Sequence, residues 1–389
     1  MKILHVIPSL SPAHGGPSVA LPLMARALVE RGVQVDVATT DDDGPGKRRG
    51  DVRCGAPVAR QGFRVFYFTK QTEFHKMSLP LLLWLFRHVS AYDAVHVHAV
   101  FSFSALAAGW ACRLRKVPYV VRPLGVLNAW GMENRRQWLK KWSFRLLDKP
   151  VLDHAAAIHY TSHQEADEAA RLGIQARSVV IPLGIDVGPL HSPPSPELFL
   201  SRFPQTAGRR VVLFLSRLDP KKNVEALLEA FTRLAHGSVL VIAGEGDAGY
   251  VATLKVRAAV LGIEESVIWA GHVSGADKLS AFAAATLFVL PSRSENFGIA
   301  LLEAMAAGLP CVTTGEVALA ADMRRMDAGC LRLVPVDDPH ALAVAMSSLL
   351  DHPDEARAMG LCGGRLARAH FSTGAMAAAL SELYLECHA

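Results

Sequence analysis

The stretch "SRSENFGIALLEAMAAGLPCV", Ser292–Val312, holds the pattern on which the rest of the chain can be aligned. Good helix formers run from Ile299 to Ala307, and Gly308 followed by Leu309-Pro310 stops them. The spacing predicts a helix that begins near Phe297 or Gly298. Its first N–H groups have no intrahelical partner and stand at the positive end of the helix dipole. A phosphate suits that position, and Gly298 removes a side chain that would block its approach. Upstream, "LFVLP" reads as a buried strand. Glu295 therefore lies in the loop at the carboxyl end of a strand, while Glu303 rides on the helix body.

The same unit of short apolar strand, loop and helix recurs outward in both directions. "KILHVIPSL" leads through a Gly-rich loop into "PSVALPLMARALVERG", and "VQVDVATT", "AVHVHAV", "PYVVRPL" and "AAIHYTS" read as further strands. A second series runs through "RVVLFLSRL", "VLVIAGEG", "VIWAGHV", "LFVLPS", "CVTT" and "LRLVPV". Strands of this kind alternating with helices imply parallel sheets covered on both faces. The fold class expected is α/β, with two Rossmann-like doubly wound domains facing a central cleft. The domains expected are 1–185 and 210–372, joined by a proline-rich linker at 186–209, with a final helix, 373–389, packing back on the first domain.

Composition agrees with this division. A chain of 389 residues exceeds one ordinary core. The net charge of +5 suits an anionic small molecule or membrane surface and is too weak to argue for nucleic acid, so no nucleic-acid partner is expected. The six cysteines, Cys54, Cys112, Cys311, Cys330, Cys362 and Cys387, have no paired spacing, which reads as reduced thiols in a cytoplasmic protein. No targeting segment is expected, and "LPLLLWLF", Leu79–Phe86, is too short to span a bilayer and reads as a core helix.

Two cations join the helix start in the second domain. In "LFLSRLDPKKNVEALLEAF", Arg217 ends a strand, Lys222 precedes the next helix and Asn223 is its expected N-cap. Together they could grip a diphosphate and stabilise its charge as it leaves. Carboxylates accept hydrogen bonds from sugar hydroxyls, so Glu295 and Glu303 beside a phosphate site fit a nucleotide sugar. A capping or surface glutamate pair is the alternative. His98 ends "AVHVH", where it is either in the cleft or a satisfied core histidine, and His96 serves as its control. "DDD", Asp41–Asp43, reads as a polar loop, so no metal is expected. "GEGDAG" matches a dinucleotide-binding fingerprint through Gly244, Gly246 and Gly249, but falls on the second strand of its domain, and no acidic residue ends the strand that follows. The loop is expected to border a nucleotide base.

The motifs S-R-L-x-x-x-K-N and E-N-F-G-I-x-x-x-E, with the Gly-Gly loop, "VHVHAV", "YTSHQEADEA", "VIPLGID" and "AMAAGLPCV" in order, resemble the retaining glycosyltransferases of family 4, with the GT-B fold. The resemblance implies a hexosyltransferase using a UDP- or GDP-linked sugar and a glycan or lipid-linked acceptor, in polysaccharide or glycolipid assembly. It implies catalytic roles for His98, Arg217, Lys222 and Glu295. Donor contacts would come from Gly15, Gly16, Arg217, Lys222, Gly244, Glu295, Asn296, Phe297, Gly298, Ile299 and Glu303. Acceptor contacts would come from Arg122, His98 and Lys140. No cofactor and no obligatory metal are implied, the cations standing in for one. Trp138, Trp142 and Leu146 fall on one helical stripe beside Arg135, Arg136, Lys140 and Lys141, either a surface for an anionic membrane or a core helix with a basic face. Other GT-B enzymes (an epimerase, hydrolase or phosphorylase) and a nicotinamide-dependent oxidoreductase are the competing readings.

Overall fold

The computed structural model describes residues 1–127, 143–191, 195–234 and 237–388. Two compact units emerge, one formed by Met1–Gly184 with Thr373–Ala389 and the other by Ile185–Ser372.

The first unit is built on an eight-stranded sheet: β1 (Lys2–Ser9), β2 (Gln34–Thr40), β3 (Pro57–Arg60), β4 (Phe63–Phe68), β5 (Ala94–His98), β6 (Tyr119–Arg122), β7 (Ala157–Tyr160) and β8 (Ser178–Val180). Their spatial order is β3-β4-β2-β1-β5-β6-β7-β8. All neighbours run parallel except β3 and β4. The chain moves outward from β1 on one side and from β5 on the other, so the topological switch lies between β1 and β5. Ligands in open α/β sheets bind at the carboxyl ends of strands at such a point. β5 alternates valine with histidine. Val95 and Val97 join Leu4, Val6, Val121, Ala107 and Ala111 in the core on the side of helix Phe103–Arg115. His96 and His98 consequently face the other way. On that side the final helix, Thr373–His388, packs against helix Gly16–Glu30 and against β5.

The second unit carries a six-stranded, fully parallel sheet: β9 (Arg210–Leu215), β10 (Ser238–Ala243), β11 (Val267–Gly271), β12 (Leu287–Leu290), β13 (Cys311–Thr314) and β14 (Arg332–Val334). The order β11-β10-β9-β12-β13-β14 puts its switch between β9 and β12. The loops leaving those two strands hold Arg217 and Lys222 on one side and Glu295 on the other.

Three expectations need correcting here. The 186–209 segment is a packed part of the second unit and not a free linker. It contains helices Gly188–His191 and Glu197–Arg202, buries Leu190 and Phe199, and the Phe199 N–H donates to Ser280 Oγ at 3.0 Å. The helix Leu79–His88 buries only Leu81 and Leu85 and exposes Leu79 and Leu83, so it is a surface helix. Asp41–Asp43 is not a solvated loop, since Asp41 and Asp42 are buried. Asp42 accepts from Lys70 Nζ at 2.8 Å, lies 2.8 Å from His14 Nε2 and pairs with Lys76. Burial pushes the Asp42 carboxyl up, but the hydrogen bonds from Lys70 and Lys76 outweigh it and hold the group below its usual range.

Candidate active site

The second unit brings the cations and carboxylates together. After β9 the chain turns through a single 3-10 turn, Pro220–Lys222, with Asp219 capping it by accepting from the Lys221 N–H. That turn points the Lys222 ammonium at Glu295, and the two side chains form an ion pair. Lys222 is largely shielded, and burial brings its pKa down to about 8, with the Arg217 charge acting in the same direction. The Asp219 carboxylate opposes that shift, because it favours the ammonium. Arg217 is mostly exposed and lies 3.9 Å from Asp219. An exposed cation near a shielded one suits a ligand that arrives with two negative charges.

The Glu295 loop is fixed by its backbone. The Glu295 N–H donates to the Glu316 carbonyl at 3.0 Å, and its carbonyl accepts from the Ala318 N–H at 3.1 Å. Asn296 is exposed, whereas Phe297 turns inward against Phe371. The helix runs Ile299–Ala306, with Gly298 at its N-cap and no side chain capping it. Its first turn is therefore not closed by a capping side chain of its own. The glycine has a different reason from the one expected. Gly298 has φ of 96°, and a Cβ there would sit 2.8 Å from Val317 Cγ1. Backbone conformation and the fit against Val317 require glycine, before any ligand is considered.

Glu303 pairs with Lys278 at 2.6 Å, a partner not foreseen from the motif. Lys278 stands on helix Gly275–Ala284 and leaves the carboxylate held and oriented. Asn223 occupies the N-cap position of helix Val224–Phe231 without capping it. Its φ of 57° is left-handed, and its side-chain amide donates to Asp337 at 3.1 Å instead.

The fingerprint loop is explained by packing. A Cβ on Gly244 would lie 1.9 Å from the Ser216 carbonyl oxygen, and one on Gly246 would lie 2.1 Å from that of Leu218. The two loops are pressed backbone to backbone, joined by the Leu218 N–H donating to the Glu245 carbonyl at 2.7 Å. The following helix, Ala248–Val260, is already capped by Asp247, which accepts from the Tyr250 N–H at 3.0 Å. A pyrophosphate would meet that carboxylate, so the dinucleotide reading loses its helix start. The loop does border a cavity of about 490 Å³, lined by Leu218, Gly244, Glu245, Lys255, Trp269 and Gly271 among others.

In the first unit, Gly15 links a 3-10 turn to helix Gly16–Glu30 with φ of 71°, and neither Gly15 nor Gly16 has a protein atom where a Cβ would stand. His98 is entirely buried, and so is His96. His96 is no control, because an i, i+2 pair on one strand shares a face. The register places His5, His96, His98, Arg122 and His159 side by side on that face. His5 Nδ1 lies 2.8 Å from His98 Nε2, and the His96 and His98 rings stack at 4.3 Å. Burial, reinforced by Arg122, brings His5 and His159 down to about 3, and burial drives His96 and His98 well below the usual histidine range. All four are neutral near pH 7. Burial likewise lowers Arg122 to about 10. Nitrogens of His5, His96 and His98 lie within 4.8 Å of one another, close enough to converge on a metal, but the adjacent guanidinium would repel one.

Glu165 went unnoticed in "YTSHQEADEA". It is buried and accepts from the Gly125 N–H at 2.7 Å and from the Thr161 N–H and hydroxyl at 2.8 Å each, tying the loops after β6 and β7 together. Lys140 lies outside the described residues, as do Arg135, Arg136, Trp138, Lys141 and Trp142.

Two doubly wound units with this content constitute the GT-B architecture of glycosyltransferases. A family model described as "Glycosyl transferases group 1" matches residues 200–361, and one described as "Glycosyl transferase 4-like domain" matches residues 15–184. The chain therefore belongs to the group 1, family 4-like glycosyltransferases. It is 27% identical to the GDP-mannose:cellobiosyl-diphosphopolyprenol alpha-mannosyltransferase of Komagataeibacter xylinus, over 85% of this chain and 80% of that protein. Identity is 26% to the D-inositol 3-phosphate glycosyltransferase of Corynebacterium glutamicum (strain R), over 99% and 95%. In fold it matches Anabaena HepE, solved in complex with UDP and glucose, with a TM-score of 0.77 at 20% identity over 98% of both chains.

Proposed function

We propose that this glycosyltransferase moves a hexose, with retention of configuration, from a UDP- or GDP-linked sugar to a glycan or lipid-linked acceptor in polysaccharide or glycolipid assembly. The second unit holds the donor and the first the acceptor. One observation carries the reading: the Lys222–Glu295 pair stands beside the uncapped start of helix Ile299–Ala306. The donor's arrival exchanges partners. Lys222 and Arg217 take the diphosphate, whose charge grows as the sugar bond breaks, and the helix N–H groups add to that stabilisation. Glu295 turns to the sugar hydroxyls and Glu303, held by Lys278, to the ribose. The leaving diphosphate accepts the acceptor's proton on the same face of the sugar. His98 and Arg122 serve the acceptor side. These cations do the work of a metal, so none is obligatory.

The relatives support the substrate class, since one is a GDP-mannose enzyme whose printed name includes a diphosphopolyprenol acceptor and another acts on inositol 3-phosphate. No helix among the described residues is long and apolar enough to cross a membrane. We place the protein in the cytoplasm, peripheral on an anionic membrane. Exposed Leu79, Leu83, Trp110 and Leu114, with exposed Arg87, Arg113, Arg115 and Lys116, support that contact. The deciding experiment presents a panel of nucleotide sugars and follows release of UDP or GDP with and without lipid-linked acceptors. Acceptor-stimulated release is expected for one donor; release of neither nucleotide from any donor would reject the assignment.

A further inference from the structure

The histidine layer of the first unit has two halves that differ in how their polar atoms are satisfied. In one, His159 Nε2 lies 2.8 Å from the Ile181 carbonyl, His159 Nδ1 lies 3.3 Å from His96 Nε2, and His96 Nδ1 lies 2.7 Å from the Tyr384 hydroxyl. A carbonyl only accepts, which fixes every proton. His159 donates from Nε2, His96 donates to His159, and Tyr384 donates to His96. This half is complete.

The other half is not. His5 Nδ1 and His98 Nε2 share one proton. A neutral imidazole carries a single N–H, so whichever ring accepts in that bond must hold its own proton on the outward nitrogen. The outward nitrogens are His5 Nε2 and His98 Nδ1, and both are buried without a partner among the described residues. Arg122 Nε and Nη1 are also buried and have no partner among the described residues. Glu165 is the acidic neighbour that acts on Arg122, yet both its oxygens are taken up by Gly125 and Thr161. One imidazole N–H and the N–H groups of two guanidinium nitrogens are therefore left without acceptors among the described residues, around a buried positive charge. His98 and Arg122 are register partners at the last positions of β5 and β6, the strand ends at which α/β sheets receive ligands.

We propose that this end of the layer is an oxyanion site, formed by Arg122 with His5 and His98, which receives a phosphoryl group of the acceptor. It rests on the reading of the first unit as the acceptor side, and it deepens that reading by requiring the acceptor to carry phosphate close to the accepting hydroxyl. A phosphate accepts from a guanidinium fork and an imidazole N–H at once and supplies the missing acceptors. A divalent cation is the opposing occupant, drawn to the imidazoles and repelled by Arg122.

The test uses the full chain carrying Arg217→Ala and Lys222→Ala, which disables the donor-side cations. Inorganic phosphate is the probe, followed by calorimetry and by thermal melting. Saturable binding is expected, with a rise in melting temperature, and adding Arg122→Gln should weaken it roughly tenfold or more. Arg122→Gln without phosphate should melt no lower than its parent, because it removes a buried cation whose Nε and Nη1 lack acceptors among the described residues. Where Arg122→Gln does not fold, His98→Gln provides the second variant and should weaken phosphate binding in the same direction. The inference is overturned if phosphate does not bind, if binding survives both substitutions, or if zinc stabilises the chain through these histidines while phosphate does not. Nucleotide release by the unmodified chain is an independent readout. Release without phosphate binding would remove this site alone, and phosphate binding without release from any donor would remove the transferase assignment alone.

Discussion

Lys222 and Glu295, side chains from the loops that leave β9 and β12, are paired with each other across the switch point of the second sheet. Each group is thereby kept in place and partly neutralised. Replacing Lys222 or Glu295 singly should lower kcat/KM for the donor by roughly a hundredfold, the scale for an oriented charge contact at a transition state. The double variant should lose less than the product of the two. Strict additivity in the double-mutant cycle would show that the pair is not a unit.

The pH profile should carry the mark of Lys222. Its folded pKa of about 8 lies below the ordinary lysine value, so the ammonium is lost as pH rises through 8. kcat/KM for the donor, which reports the free enzyme, should fall above about pH 8. Lys222→Arg should move that limb out of the accessible range, since a guanidinium stays charged. A limb that stays in place in the variant assigns the titration to another group.

The histidine layer predicts acid sensitivity. For His5 and His159 the folded pKa of about 3 lies below the unfolded value, so between about pH 3 and 6.5 the unfolded chain binds more protons. Stability is full above about 6.5 and declines as pH falls, by up to about 1.4 kcal/mol per pH unit for each histidine. Chemical denaturation at pH 7.5 and 5.5 should show the loss, and His159→Gln should lessen it.

Gly298→Ala should destabilise the second unit by about 1–3 kcal/mol through its left-handed backbone and its clash with Val317. Adding Val317→Ala should restore the steric part only. Full recovery in urea melts would mean that backbone strain contributes nothing.

Exhaustive treatment with EDTA should leave sugar transfer unchanged if, as proposed, Arg217, Lys222 and the helix start carry the diphosphate's charge. Loss of transfer that magnesium or manganese restores would replace that arrangement with a metal-assisted one.

Local pattern made much of this visible in the sequence. The strand–helix alternation and the stop at Gly308 could be read directly, and the helix start fell within two residues of Ile299. Lys222 and Glu295 could be placed in their loops because each follows an apolar strand. What stayed hidden was set by partners distant in sequence. The charges of Asp42 are matched by Lys70 and Lys76, roughly thirty positions on, which no window reveals. Strand β3 is short, largely exposed and antiparallel, and lacks an apolar run. The proline-rich composition of 186–209 concealed two anchoring residues, Leu190 and Phe199. One feature was legible and passed over: in "AVHVHA" the two-residue period itself puts both histidines on one face.

The final helix belongs to the first unit although the whole second unit is encoded before it. During vectorial synthesis on the ribosome, the first sheet emerges early but waits for Tyr384, and until then His96 Nδ1 has no donor. A nascent chain must therefore hold this sheet without its final helix through some two hundred residues of translation, roughly ten to forty seconds at ordinary elongation rates. Ribosome-stalled chains ending before Thr373 should accordingly remain protease-sensitive in the first unit, and only release of the last turns should close it.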